Sequence, residues 1–212
     1  MMETMDQLSL DFDLHHPKPL LIVISGPSGV GKDAVIKAMK EKGLPFHFVV
    51  TMTSRPIRPG EVDGVDYFFV SRERFEELIA ADEFIEYANV YGDYKGIPRS
   101  QIRDAMASGK DVILRVDVQG AETVHRLCPE AVLIFLIPAN KDEWLWRLKN
   151  RKTETEEALK LRVETAREEL KQFSRFDYVV VNAHDRLDEA VRIITAIIEA
   201  EHHRIDHREV CL

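Results

Sequence analysis

Residues 20–33 read LLIVISGPSGVGKD, and the rest of the chain is understood outward from them. Leu20–Ser25 is an unbroken run rich in branched apolar residues, stopped by Gly26-Pro27-Ser28-Gly29. That pattern predicts a parallel strand buried on both faces and feeding a loop. A helix is expected from about Gly31 to Glu41. In this strand–loop–helix setting, Gly26, Pro27, Ser28, Gly29, Val30, Gly31 and Lys32 satisfy G-x-x-x-x-G-K. Glycines let successive backbone N–H groups turn inward, and the helix N-terminus adds partial positive charge, so a triphosphate meets donors already arranged. Lys32 would reach the β- and γ-phosphates as a point charge. A glycine-rich turn without a ligand is the plainer reading of such a stretch, and the flanking strand and helix argue against it.

Position 33 departs from the pattern. A Ser or Thr hydroxyl that binds Mg²⁺ is usual there, whereas this chain has Asp33. A carboxylate is a good hard-oxygen ligand for Mg²⁺, but its charge beside phosphates is unfavourable unless the metal lies between them. Two readings stand: Asp33 contacts Mg²⁺ directly or through water, or it is a first-turn acid that favours the helix dipole.

Similar buried-strand runs recur at Phe46–Val50, Val112–Val116, Val132–Ile137 and Tyr178–Val181, with helix-like stretches between most of them. The alternation predicts an α/β fold with a doubly wound parallel sheet. Two segments interrupt it. Turns and short aromatic strands (66–70 and 84–90) fill residues 51–98, which suggests an inserted α+β lobe. Residues 140–173 are helical and dense in charge, which by itself reads as a solvated amphipathic helical pair. The expected organisation is a leader at 1–19, one domain at 20–200 and a tail at 201–212. Within the domain the core takes 20–50, 99–139 and 174–200, the insert 51–98 and the lid 140–173. Leader and tail are read as poorly ordered. His202, His203 and His207 could bind a metal, but a fraying helix end explains them as well.

Composition narrows the classes. A chain of 212 residues suffices for one substantial core, with room for small insertions. The formal charge of −8 repels a polyanion and the basic residues are dispersed, so no nucleic-acid partner is expected. No apolar run approaches the roughly 20 residues of a membrane helix, so no membrane partner is expected either. The opening MMETMDQLSLDFDLHHPKP lacks an apolar signal segment, and Glu3, Asp6, Asp11 and Asp13 argue against a transit peptide. Cys128 and Cys211 form no CxxC or zinc spacing, so a reduced, cytoplasmic setting is the default.

The insert carries TSRPIRPGEVDGVDYFFV and EFIEYANVYGDYKG, and further on come VDVQG, RKTETEE and FDYVVVN. With the phosphate loop in front of them, these motifs in this order resemble the guanylate kinase family, over about Leu20 to Ala200. TSRP, the KG stretch and LRVD resemble its cyanobacterial and plastid branch. The resemblance implies a phosphate-loop NTPase-type sheet with a GMP-binding lobe and a helical lid. It implies transfer of the γ-phosphoryl group of ATP to GMP, and to dGMP, with Mg²⁺ accompanying ATP. ATP and GMP would be the small-molecule partners of a monomer or homodimer.

Carried over residue by residue, the resemblance puts Thr51, Arg55, Arg58, Tyr67, Glu86, Lys95 and Asp117 at the GMP site. Arg55 and Arg58 offer forked donors to a monophosphate, with the Tyr67 hydroxyl beside them. The Glu86 carboxylate can accept from guanine N1–H and the exocyclic amine together, a pair adenine does not present. Thr51 matches a hydroxyl that helps hold the base, and Asp117 an acid near the acceptor and the metal. Lys32, Arg147, Arg151 and Arg162 fall where catalytic and ATP-contacting cations lie. Asn182 is a candidate neighbour of adenine. Other residues depart from the family pattern: Lys95 replaces a tyrosine, Ile97 a polar contact, Arg115 the first acid of Asp-x-Asp, and Lys152 a glycine. Two rivals share some of these features. A non-catalytic binding module would not need all of Lys32, Arg55, Arg58 and Glu86, and a sugar-phosphate kinase would have no use for Glu86.

Overall fold

The computed structural model describes residues 15–90, 92–149 and 156–210. Its centre is a five-stranded parallel sheet built from β1 (Leu21–Ser25), β2 (His47–Phe48), β7 (Val112–Arg115), β8 (Val132–Ile137) and β9 (Tyr178–Val181), in the order β2-β7-β1-β8-β9. Every residue of β1 is buried, and alternation along the pleat divides them between two cores. Ile22 and Ile24 pack with Val35 and Met39 of α1 (Lys32–Glu41) and with Val191, Ile194 and Ile198 of α7 (Leu187–His202). Leu21 and Val23 face the other way, toward Ile102 and Ala105 of α3 (Arg99–Ala107) and Ala121 and Val124 of α4 (Val118–Leu127). Helices therefore cover both faces, as the sequence predicts for a doubly wound α/β sheet.

Between β2 and α3 the chain builds a second, four-stranded sheet in the order β4-β3-β6-β5, from β3 (Met52–Thr53), β4 (Phe68–Phe69), β5 (Phe84–Val90) and β6 (Asp93–Pro98). Helix α2 (Arg72–Ala80) packs on it through Phe75, whose ring stacks with Phe84 and Tyr94 at 4.3 and 5.2 Å between centroids. Helices α5 (Lys141–Lys149) and α6 (Glu156–Lys171) follow β8, and Trp144, Leu148 and Ala166 join them in a small core. Arg151 and Lys152 lie outside the described residues. No helix among the described residues is long and apolar enough to cross a membrane.

Among the described residues, those at 15–18 and 203–209 are better anchored than their composition suggests. His15 stacks on His203 with 4.6 Å between ring centroids, and Lys18 pairs with Glu209. Glu201 is buried on α7 and accepts from Arg208 at 2.8 Å and from the Tyr178 hydroxyl, while Arg208 also reaches the Ala131 carbonyl at 3.3 Å. Those bonds satisfy a carboxylate that would otherwise be costly to bury. Residues 203–210 are therefore held against the sheet, in place of the fraying end expected. His203 donates through Nδ1 to the Glu199 carbonyl, and His202 pairs with Asp111 at 2.8 Å. Among the described residues no group of three or more His, Cys, Asp or Glu side chains could hold a metal ion.

Candidate active site

The loop between β1 and α1 lies where the sheet order reverses, with β7 on one side of β1 and β8 on the other. Crevices at such a switch point, beyond the carboxyl ends of the strands, are where open α/β sheets bind ligands. Gly26 is indispensable by geometry: at φ 142° a Cβ there would sit 2.4 Å from the Leu136 carbonyl oxygen. Gly31 adopts φ 96° as the residue before α1, with Asn182 Nδ2 only 2.5 Å from the place a Cβ would occupy. No side chain caps α1, so its first N–H groups face the loop and suit an anion. Lys32 curls back, donating to the Gly26 and Pro27 carbonyls. Ser28, Gly29, Val30, Gly31, Lys32 and Asp33 line a cavity of about 320 Å³ that is closed on its far side by Arg115, Val116 and Asp117.

Those same three residues wall a second cavity of about 170 Å³, whose other lining includes Thr51, Tyr67, Glu86, Lys95 and Ile97. The two cavities thus meet at the end of β7. Glu86 is brought there by a shift of register in β5 between Phe84 and Glu86, the kind of irregularity that re-aims a side chain. Burial beside Ile97, and then the charge of Asp117, push the Glu86 carboxyl up to about 7. Asp117 caps α4 by accepting from Gly120 N–H at 2.8 Å. Gly120 must be small, since a Cβ would lie 2.9 Å from Val116 Cβ and 3.4 Å from Glu86 Cδ.

Arg55 is buried, its guanidinium 4.9 Å from the Tyr67 ring centroid and forked onto Glu61. That fork holds the Glu61 carboxyl down to about 2, and Glu61 also accepts from the Arg58 N–H at 2.8 Å. Glu61 thereby occupies the Arg55 fork that sequence reasoning gave to a phosphate, and from Arg58 it takes the backbone N–H alone. Arg58 itself is exposed. Lys95 lies 5.5 Å over the other partner of this group, the Tyr67 ring.

Two residues expected at the ATP site bond the loop itself. Arg147 on α5 lies behind the loop, donating to the Val30 and Asn182 carbonyls at 2.9 Å and pairing with Glu143. Its fork braces the loop, and Arg147 is not among the residues that line the phosphate-loop cavity. Asn182 is also buried, with its amide on the Val30 carbonyl at 2.8 Å. Beneath the loop it supports Gly31 and offers no open face to a base. Arg162 is half-buried on α6. Sequence reading missed three further contributors. Trp144 holds the Ser28 carbonyl at 2.8 Å, Glu169 of α6 accepts from Ser28 N–H at 3.2 Å, and Arg115 pairs with Asp33. Only the departures at positions 33 and 115 hinted at the last of these.

A phosphate loop at the switch point, joined to a smaller polar cavity in an inserted lobe, defines the phosphate-loop class of nucleotide kinases. The family model for guanylate kinase matches residues 18–201. Guanylate kinase 2 of rice (Oryza sativa subsp. japonica), named as chloroplastic/mitochondrial, is 53% identical over 195 residues, which span 92% of this chain and 68% of that protein. Guanylate kinase of Lactobacillus johnsonii is 44% identical, with 88% and 91% of the two chains covered. The crystal structure of guanylate kinase from Anaplasma phagocytophilum superposes with a TM-score of 0.67 at 30% identity, covering 90% of this chain and 89% of that one. The chain belongs to the guanylate kinase family.

Proposed function

We propose that this protein transfers the γ-phosphoryl group of ATP to GMP, giving ADP and GDP, and that dGMP serves as a second acceptor. The observation that carries the proposal is the meeting of the two cavities at Arg115–Asp117, one opening on the phosphate loop and the other on Glu86. Two nucleotides bound there would point their phosphates at each other. Holding reactants in line accounts for roughly 7–11 kcal/mol of a barrier, and phosphoryl transfer asks for little else beyond positive charge on the migrating group.

In this reading Gly26–Lys32 cradle the ATP phosphates, Lys32 swinging from the loop carbonyls to the β- and γ-oxygens. Arg55, Arg58, Tyr67 and Lys95 hold the GMP phosphate, and Arg55 does so by sharing or exchanging Glu61. Thr51 and Glu86 read the base. Arg147 and Asn182 act on the donor side by keeping the loop in shape, and Arg151 and Arg162 act from the lid. Closure of insert and lid over both nucleotides would exclude water as a competing acceptor.

Mg²⁺ is proposed with ATP. Such an ion takes one or two carboxylates and completes its shell with phosphates and water, and Asp33 and Asp117 both line the phosphate-loop cavity. When bound it would neutralise charge on the β- and γ-oxygens. The cytoplasm is the compartment proposed, since Cys128 and Cys211 form neither a CxxC nor a zinc spacing.

The test is ADP release measured with GMP, dGMP, AMP and ribose 5-phosphate. A site built on guanine's paired N–H donors rejects AMP by about 10⁴-fold in kcat/KM. Equal rates with AMP, or release with ribose 5-phosphate alone, would refute guanine selection.

A further inference from the structure

The observation that reaches furthest beyond the family reading is the position of Arg115. Its Cα is level with Ile24 of β1, two residues ahead of the phosphate loop. Lys32 lines the loop cavity and Lys95 the acceptor cavity; among the described residues, Arg115 is the cation common to both. Arg147, expected among the catalytic and ATP-contacting cations, has its guanidinium on the Val30 and Asn182 carbonyls. The point where a phosphoryl group would cross between two nucleotides is therefore faced by Arg115.

The guanidinium pairs with Asp33, 82 residues away in sequence, in the first turn of α1. That pair is open to water: the Arg115 side chain is 38% exposed and that of Asp33 70%. Ion pairs so exposed are worth at most about 1 kcal/mol, so a phosphate oxyanion can compete for the same N–H groups. A planar fork matches a phosphoryl group better than it matches one carboxylate oxygen.

We infer that Arg115 is a catalytic residue, which leaves Asp33 when both nucleotides are bound and donates N–H bonds to the phosphoryl group in transit. The inference rests on the proposed GMP kinase reaction. In that step the bond from the γ-phosphorus to the β,γ-bridging oxygen breaks, and its electron pair stays on ADP. An oxygen of the GMP phosphate gives a pair to the same phosphorus. No proton moves, and Arg115 stays charged throughout while its donors follow the charge on the three equatorial oxygens. This is the electrostatic role that a well-placed arginine plays in other phosphoryl transfers, where it is worth about 10³–10⁵ in kcat.

Steady-state kinetics on the full chain tests it, with the unaltered protein alongside Arg115→Met, Arg115→Lys, Asp33→Asn and the double variant Asp33→Asn/Arg115→Met. Arg115→Met is expected to lower kcat by about 100-fold or more while both KM values stay within about fivefold, the signature of an interaction made in the transition state. Arg115→Lys should recover part of the loss. The double variant separates contact from support: if Arg115 touches the phosphoryl group, removing it still costs at least about 30-fold on the Asp33→Asn background. If it only steadies Asp33, it costs nothing further there, and the inference is overturned. Should Arg115→Met fail to give a cooperative thermal melt, Arg115→Ala rescued by added guanidinium gives the same answer, and absence of rescue counts against it. An unaltered chain that releases no ADP with GMP overturns the function and the inference together. An active chain whose Arg115→Met variant keeps kcat within threefold overturns the inference alone.

Discussion

The carboxylate of Glu169, on α6 of the lid, accepts a hydrogen bond at 3.2 Å from the backbone N–H of Ser28, inside the phosphate loop. Burial raises its pKa, while that bond and the nearby charge of Lys32 oppose the rise. An acid thus stands on a donor that a nucleotide phosphate would use, and it must withdraw before the phosphate docks. Glu169→Ala is expected to tighten ATP binding by about three- to tenfold, because a hydrogen bond to a charged group is worth about 1.5–3 kcal/mol and water replaces part of it. Titration of the GMP-free protein with a non-hydrolysable ATP analogue measures this. Weaker binding in the variant would show that Glu169 supports the loop instead of blocking it.

The carboxyl of Glu86, pushed up to about 7, makes guanine recognition depend on pH. Only the carboxylate accepts from both N–H groups of the base. Below about pH 7 the free protein holds a proton there that GMP must displace, so binding weakens as pH falls and levels off above that value. The expected signature is a KM for GMP that climbs toward tenfold per pH unit between pH 7 and 5.5, relative to Glu86→Gln. The nucleotide's own ionisation affects both proteins and cancels in the ratio. A flat ratio would place the Glu86 titration elsewhere.

Gly120 sets the floor beneath that carboxyl. In Gly120→Ala the new methyl would crowd Val116 at 2.9 Å and both Asp117 and Glu86 at 3.4 Å. Overpacking of this kind costs about 1–3 kcal/mol of stability. The KM for GMP should rise about three- to tenfold while that for ATP stays unchanged. Parallel kinetics in the two substrates distinguishes this from general loosening, which would raise both.

Asn182 gives a prediction in which packing and recognition diverge. Its buried amide shares the Val30 carbonyl with Arg147, so Asn182→Ala should lower stability by about 0.5–1.5 kcal/mol through one lost hydrogen bond, with Arg147 still satisfying that carbonyl. The KM for ATP should rise with it, and the preference for ATP over GTP should not change. A changed nucleotide preference with an unaltered melting temperature would return Asn182 to the adenine.

The elements legible in the sequence were those whose signal is contiguous. Leu20–Lys32 spells strand, loop and helix start in a single run, and the long apolar runs at β7, β8 and β9 carry the same message. The Glu86 cavity was legible because its motifs are short and ordered along the chain. The two-residue strand β3 was harder, since a pairing of that length leaves no periodicity to read. β6 was hidden too, its Tyr94-Lys95-Gly96 resembling a turn. Side-chain direction was the main loss. Nothing local says that Arg147 turns under the loop, and the pairing of Arg115 with Asp33 depends on β7 lying beside β1, a register set by the whole sheet. The tail was misjudged for a related reason: Arg208 looks solvated until buried Glu201 is found beneath it.

The stack of His15 on His203 and the pairing of Lys18 with Glu209 bring positions 15–18 next to positions 203–209, where the strands begin. Both cavities open where the strands finish. Attachments made near either of these neighbouring points, whether a surface anchor, a fluorophore or a fused protein, would leave the nucleotides' route of entry clear. A chain rejoined across them with a short linker and reopened in an exposed turn should keep its catalytic face, since proximity of this kind is what makes circular permutation tolerable.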